Sequence, residues 1–337
     1  MSSPTDSGAA AGPLKYLFPA WYSIVMGLAG LALAWHRAVP VMGEGAGAAA
    51  LVIGLLAAAV FAVLVVATLL RAQRYPQAWA EDRRHPVRHT FIATLPIAMV
   101  LLATVAVASG VQGPPVLALW WAGSLAQLFV TTWVLQRWWK GAANGGLQWA
   151  SATPALFIPI VGNVLVPLAG VPLGQPEWSA AQFGIGLLFW PVVLILLVAR
   201  IVVQGPWPER LLPANFIVIA PPAVVGLSAL QFGAPPLVGW ALWGMALFSL
   251  LWVAPLLQRI AGQPFGLPHW GMSFPLAAFT ALTLRLMPEG PLAMAGVALL
   301  AATSLLIAAL ALATVRGLRQ GSLLVPEAVP IAQAPGP

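Results

Sequence analysis

An all-α membrane protein of ten spanning helices is the fold class this sequence predicts, and three observations carry that reading. Of its 337 residues 61% are hydrophobic and only 7% are charged, whereas a water-soluble domain carries about a quarter of its residues as Asp, Glu, Lys or Arg. The 23 charges are separated by apolar runs long enough to cross about 30 Å of hydrocarbon. Those runs are rich in Leu and Ala and lack the ten-residue alternation of barrel strands, so helices must satisfy the backbone in lipid.

In chain order the apolar windows fall at 17–36, 47–70, 90–110, 115–136, 152–171, 180–203, 212–231, 236–258, 271–287 and 291–315. Residues 1–16 are expected to form a cytoplasmic N-terminal segment, 17–316 the transmembrane domain, and 317–337 a disordered cytoplasmic tail. The first run begins near Leu17, spans the full width and lacks a small-residue exit, so it is expected to be a retained helix. With the N-terminus inside, thirteen Lys and Arg fall on one face of the membrane. Only Arg37 and Arg285 fall on the other, and with the acids included the two sides carry +8 and −1. The positive-inside rule then places both termini in the cytoplasm, and the excess of +7 reflects topology rather than nucleic-acid binding.

Prolines mark an internal repeat. The odd-numbered spans hold Pro19, Pro96, Pro159, the pair Pro221 and Pro222, and Pro275, accompanied by Phe18, Phe91, Phe157, Phe216 and Phe274. The steps from Pro96 to Pro159 and from Pro159 to Pro222 are both 63 residues, the length of one helical hairpin with its loops. An interior proline removes a hydrogen bond and bends a helix, and irregular backbone at membrane depth is tolerated only where protein or water covers it. The odd spans are therefore expected to surround a centre as kinked, pore-lining helices. The straighter even spans should face lipid. Pro191 in the sixth span and Pro255 near the end of the eighth depart from the pattern.

No cysteine is present, which excludes disulfides, thiolate metal sites and cysteine nucleophiles. His36, His85, His89 and His269 all lie at span ends or in loops, an arrangement unsuited to a membrane di-haem site. His85 and His89 share a helical spacing but have no third ligand in view, so no metal and no cofactor is expected. The glycines around Glu44 follow no strand and read as a turn. The motifs of intramembrane hydrolases and prenyltransferases are missing, so the chain is not expected to be an enzyme. Many of the 16 tryptophans sit near span ends as an interfacial belt. No Asp, Glu or His occupies the middle of a span, as a proton-coupled carrier would need, so uncoupled permeation is favoured.

Four stretches in the expected order, His85-Pro86-Val87-Arg88 running to Pro96, Thr153 to Pro159, Ala220-Pro221-Pro222-Ala223 and Ser273-Phe274-Pro275, resemble the tellurite-resistance/C4-dicarboxylate transporter family. That family includes bacterial TehA proteins and the slow anion channels of plants. The resemblance runs from Pro19 to about Arg316. It implies five hairpins around a central pore in each protomer of a homotrimer, within the bacterial inner membrane. It also implies passive conduction of small inorganic anions such as chloride and nitrate, with Phe274 as the plug. Phe91, Phe157 and Phe216 are further pore candidates. Trp270-Gly271-Met272 precedes Ser273 where the family pattern has a more aromatic, Thr-containing approach. The alternative is a carrier or efflux facilitator for C4-dicarboxylates or tellurite-like oxyanions. A lipid-binding subunit without transport is the reading from another class.

Overall fold

A computed structural model of the chain describes residues 12–326, and within them the structure is helical with no strand. The expected all-α class therefore holds, whereas most of the expected disordered tail, from residue 327 on, lies outside the described residues. Among the fourteen α-helices of the described residues are, in order, α1 (Ser23–Arg37), α2 (Glu44–Arg74), α3 (Thr94–Ala108), α4 (Pro114–Gln136), α5 (Phe157–Leu165), α6 (Pro176–Gln204), α7 (Ala220–Gln231), α8 (Pro236–Val253), α9 (Ser273–Leu286) and α10 (Pro291–Arg319). Seven helical segments are long and apolar enough to cross a membrane: those containing α2, α3, α4, α6, α7, α8 and α10. The segment around α5 is a shorter apolar helix, Pro154–Gly170.

Burial separates the helices into two layers. In the most apolar stretches of α2, α4, α6, α8 and α10 between 22% and 33% of residues are buried, against 61% and 83% in the segments containing α3 and α7. Large apolar side chains such as Val63, Phe129, Ile195, Phe248 and Leu305 point outward and are at least two-thirds exposed. Water would penalise each of them by about 1.5–3 kcal/mol, so a belt of this size identifies lipid as the surrounding solvent. The chain is a polytopic membrane protein.

The buried helices contact one another in a closed circuit: α1 packs on α3, α3 on α5, α5 on α7, α7 on α9, and α9 on α1. Each also packs against the helix that follows it in the chain, giving the pairs α1–α2, α3–α4, α5–α6, α7–α8 and α9–α10. Glycine permits the closest approach in the circuit. A Cβ on Gly27 of α1 would stand 2.3 Å from Ser273 Oγ of α9.

Hydrogen bonds tie the two layers where no water competes. Trp270 Nε1 donates to Thr314 Oγ1 at 2.9 Å and Trp243 Nε1 to Thr283 Oγ1 at 2.9 Å. A larger network joins α4, α5 and α6. The carbonyl of Pro159 accepts from Gln127 Nε2, Thr131 Oγ1 and Asn163 Nδ2 at 2.6–2.8 Å, while Gln182 Nε2 donates to Asn163 Oδ1 and to Ser124 O. Polar groups at membrane depth need such internal partners, because lipid offers none.

The repeated prolines fall at a change of helix geometry. α3, α5 and α7 start at Thr94, Phe157 and Ala220, each 63 residues after the last, and Pro96, Pro159, Pro222 and Pro275 are each the third residue of an α-helix. A 3₁₀ stretch leads directly into every helix of the circuit: Pro19–Tyr22, Arg88–Ala93, Pro154–Leu156, Glu209–Ile219 and Leu267–Met272. The repeated prolines thus sit where 3₁₀ geometry changes to α, and Pro96 and Pro222 lie inside the continuous helical segments Arg88–Ala108 and Glu209–Gln231. Pro191 is the one that sits in the middle of a long helix, α6.

Candidate functional site: the axis of the helix circuit

The five 3₁₀ lead-ins converge, and a cavity of about 120 Å³ opens between them. Each element of the circuit contributes wall: Phe18 and Ser23 from the first, Arg88, Phe91 and Ile97 from the second, Thr153 and Ile158 from the third, Ala214 and Ile217 from the fourth, Trp270 and Phe274 from the fifth. The wall is almost wholly apolar, with Ser23, Thr153 and Arg88 as its polar side chains. Thr94 Oγ1 fixes the first two lead-ins together, lying 2.6 Å from the carbonyl oxygens of both Pro19 and Phe91.

Phe274 borders this cavity and is 5% exposed. It occupies the second residue of α9, immediately before Pro275, which also borders the cavity. Phe91 borders it too, with its ring edge-on to Phe18 at a centroid distance of 6.2 Å. The remaining sequence candidates lie elsewhere. Phe157 and Phe216 are buried in the packing between helices and are absent from the cavity wall, as are Pro19, Pro96, Pro159, Pro221 and Pro222. Pro222 instead borders a separate outward-facing groove with Trp190 and Phe248. Phe18 joins the wall without having been a candidate. Its place directly before Pro19, matching Phe274 before Pro275, was the available signal.

At the 3₁₀ side the cavity meets a larger one of about 990 Å³, the two sharing Phe18, Arg88, Leu211 and Pro268. Lys15, Arg71, Arg88 and Arg210 line this vestibule against the acids Glu81 and Glu209, so its lean is positive. Glu209 is moreover engaged by Arg259 at 2.7 Å. Arg88 stands at the junction of the two spaces. Its placement depends on Asp82, a fully buried carboxylate whose Oδ1 lies 2.9 Å from Arg88 Nη1 and whose Oδ2 lies 2.7 Å from Arg71 Nη1. Arg71 is anchored in turn by donating from Nε to the carbonyl of Lys15 at 2.9 Å. Two cations on one carboxylate leave a net positive charge facing the vestibule.

His85 Nδ1 accepts from the backbone N–H groups of Val87 and Arg88, and His89 Nδ1 lies 2.9 Å from the His85 carbonyl. Among the described residues no group of three or more His, Asp or Glu is placed to hold a metal.

The sequence model of the SLAC1 family, described as voltage-dependent anion channel, matches residues 16–315. A protein described as a tellurite resistance protein TehA homolog from Haemophilus influenzae is 25% identical over 264 residues, covering 77% of each chain. The S-type anion channel SLAH2 of Arabidopsis thaliana is 26% identical over 216 residues, 63% of this chain but only 41% of the plant protein. An uncharacterized transporter of Methanocaldococcus jannaschii is 21% identical over 297 residues, covering 80% of this chain and 84% of its own.

Proposed function

As a member of the SLAC1 family of voltage-dependent anion channels, a family of transport proteins rather than enzymes, the chain serves membrane anion transport, and we propose that it is a channel for small monovalent anions such as chloride and nitrate. The observation that carries this reading is the closed circuit of five helices, with an apolar axial cavity that opens into a basic vestibule. An anion drawn from solution by the field of Lys15, Arg71, Arg88 and Arg210 meets Arg88 at the neck and then Phe274. The ring closes a narrow apolar passage sterically and by excluding water.

Ten spans in five hairpins, with α1, α3, α5, α7 and α9 lining the pore, complete this reading. Both termini then lie in the cytoplasm of a bacterial cell, and the protein sits in the inner membrane, with one pore in each subunit of a homotrimer. The wall of the axial cavity holds no charged side chain other than Arg88. Discrimination there falls to hydroxyls and backbone N–H groups at the helix starts, partial charges that favour weakly hydrated anions.

The name of the Haemophilus relative, a tellurite resistance protein TehA homolog, favours a second reading, a carrier or efflux facilitator for tellurite-like oxyanions. Recording purified protein in a planar bilayer separates the two. A channel passes anion current without a proton gradient, whereas a coupled carrier moves substrate uphill only when a gradient is imposed.

A further inference from the structure

The far end of the helix circuit holds the two cations that the charge count set apart. Arg37 is the last residue of α1, and Arg285 lies one residue before the end of α9. These helices pack side by side and both end here. Arg37 lines a cavity of about 260 Å³ with His36, Thr104 and Gln231, at the C-terminal ends of α1, α3 and α7.

Two features of this place call for an anion. Converging helix C-termini each present about half a negative charge, so an uncompensated mouth of this kind would repel anions and hold cations. Arg37 and Arg285 reverse that sign. Neither guanidinium has a carboxylate within 4 Å or a protein hydrogen-bond acceptor among the described residues, and the acids Glu44, Glu177 and Glu289 are all exposed. Arg37 on the cavity wall, with Arg285 exposed at the end of the neighbouring helix and the donors of both unspent, matches the requirements of a bound anion.

We propose that Arg37 and Arg285, with Gln231 as a neutral donor, form an anion-binding site for a small inorganic anion at the mouth opposite the vestibule. Resting on the channel reading, the site serves as the second station of the path, offsetting the helix termini where an ion leaves or arrives.

Chloride-35 NMR on purified protein in detergent tests the site without requiring conduction. Chloride exchanging with a protein site gains line width that nitrate abolishes by competition. The Arg37→Gln/Arg285→Gln variant is expected to lose most of the excess width that Arg210→Gln in the vestibule leaves in place, and Arg37→Lys/Arg285→Lys is expected to retain it. Undiminished width in the folded Gln/Gln protein would overturn the proposal. Should the double variant fail to fold, Arg285→Gln alone changes an exposed side chain, and an unaltered width there overturns the site equally. In vesicles, Gln/Gln in a Phe274→Ala background is expected to slow anion flux several-fold at low salt and little at high salt. An absence of flux from Phe274→Ala itself would count against the channel reading, leaving the NMR result to decide the site.

Discussion

Phe274 rests on Gly30: a Cβ built on that glycine would stand 3.1 Å from Phe274 Cδ2 and 3.1 Å from Ala277 Cβ. The ring that borders the axial cavity is therefore backed by bare helix backbone of α1, and its position depends on a side chain that is not there.

Replacing Gly30 by valine would force the phenyl ring toward the axis or push α1 and α9 apart, a strain of about 1–3 kcal/mol. The expected outcome is altered anion flux with Phe274 present and little change in a Phe274→Ala background. A double-mutant cycle on flux measures that coupling, and purely additive effects would separate Gly30 from the ring.

Asp82→Asn should cost more. Removing the charge of a fully buried carboxylate that holds Arg71 and Arg88 leaves two cations without their counter-ion, a loss of about 3–5 kcal/mol by comparison with other broken buried pairs. Thermal unfolding in detergent checks the loss of stability. Arg88→Gln, by contrast, should reduce anion flux at low salt and much less at high salt, because screening at physiological strength already confines such fields to about 8 Å.

The arrangement of charges predicts the orientation. A cysteine probe at position 83 should react only from the cytoplasm and one at position 177 only from outside, an outcome read with impermeant thiol reagents on cells and on inverted vesicles. Reaction of both from one side would break the ten-span topology.

The helix class and the layering were legible in the sequence because they depend on local patterns. Apolar runs reveal spans, and the 63-residue proline step reappears as the spacing of the starts of α3, α5 and α7. The 3₁₀ geometry that leads up to those prolines was not legible, since a proline code does not say which kind of helix precedes it. Phe91 and Phe274 could be picked out by their prolines, yet Phe157 obeyed the same rule and lies buried away from the cavity. Contacts between distant positions left no local trace. The hold of Asp82 on Arg71 and Arg88, the Gln127–Asn163 network and the side-by-side ends of the helices that carry Arg37 and Arg285 appear only once the circuit is closed.

Reversal potentials of Phe274→Ala in a planar bilayer under bi-ionic conditions test the central claim most directly. The account predicts a large rise in current over the parent protein, with nitrate and chloride permeant, sulfate and dicarboxylates nearly excluded, and selectivity for anions persisting at high salt because partial charges near the helix starts sustain it. Cation selectivity, or a current no larger than that of the parent protein from a correctly folded variant, would contradict it.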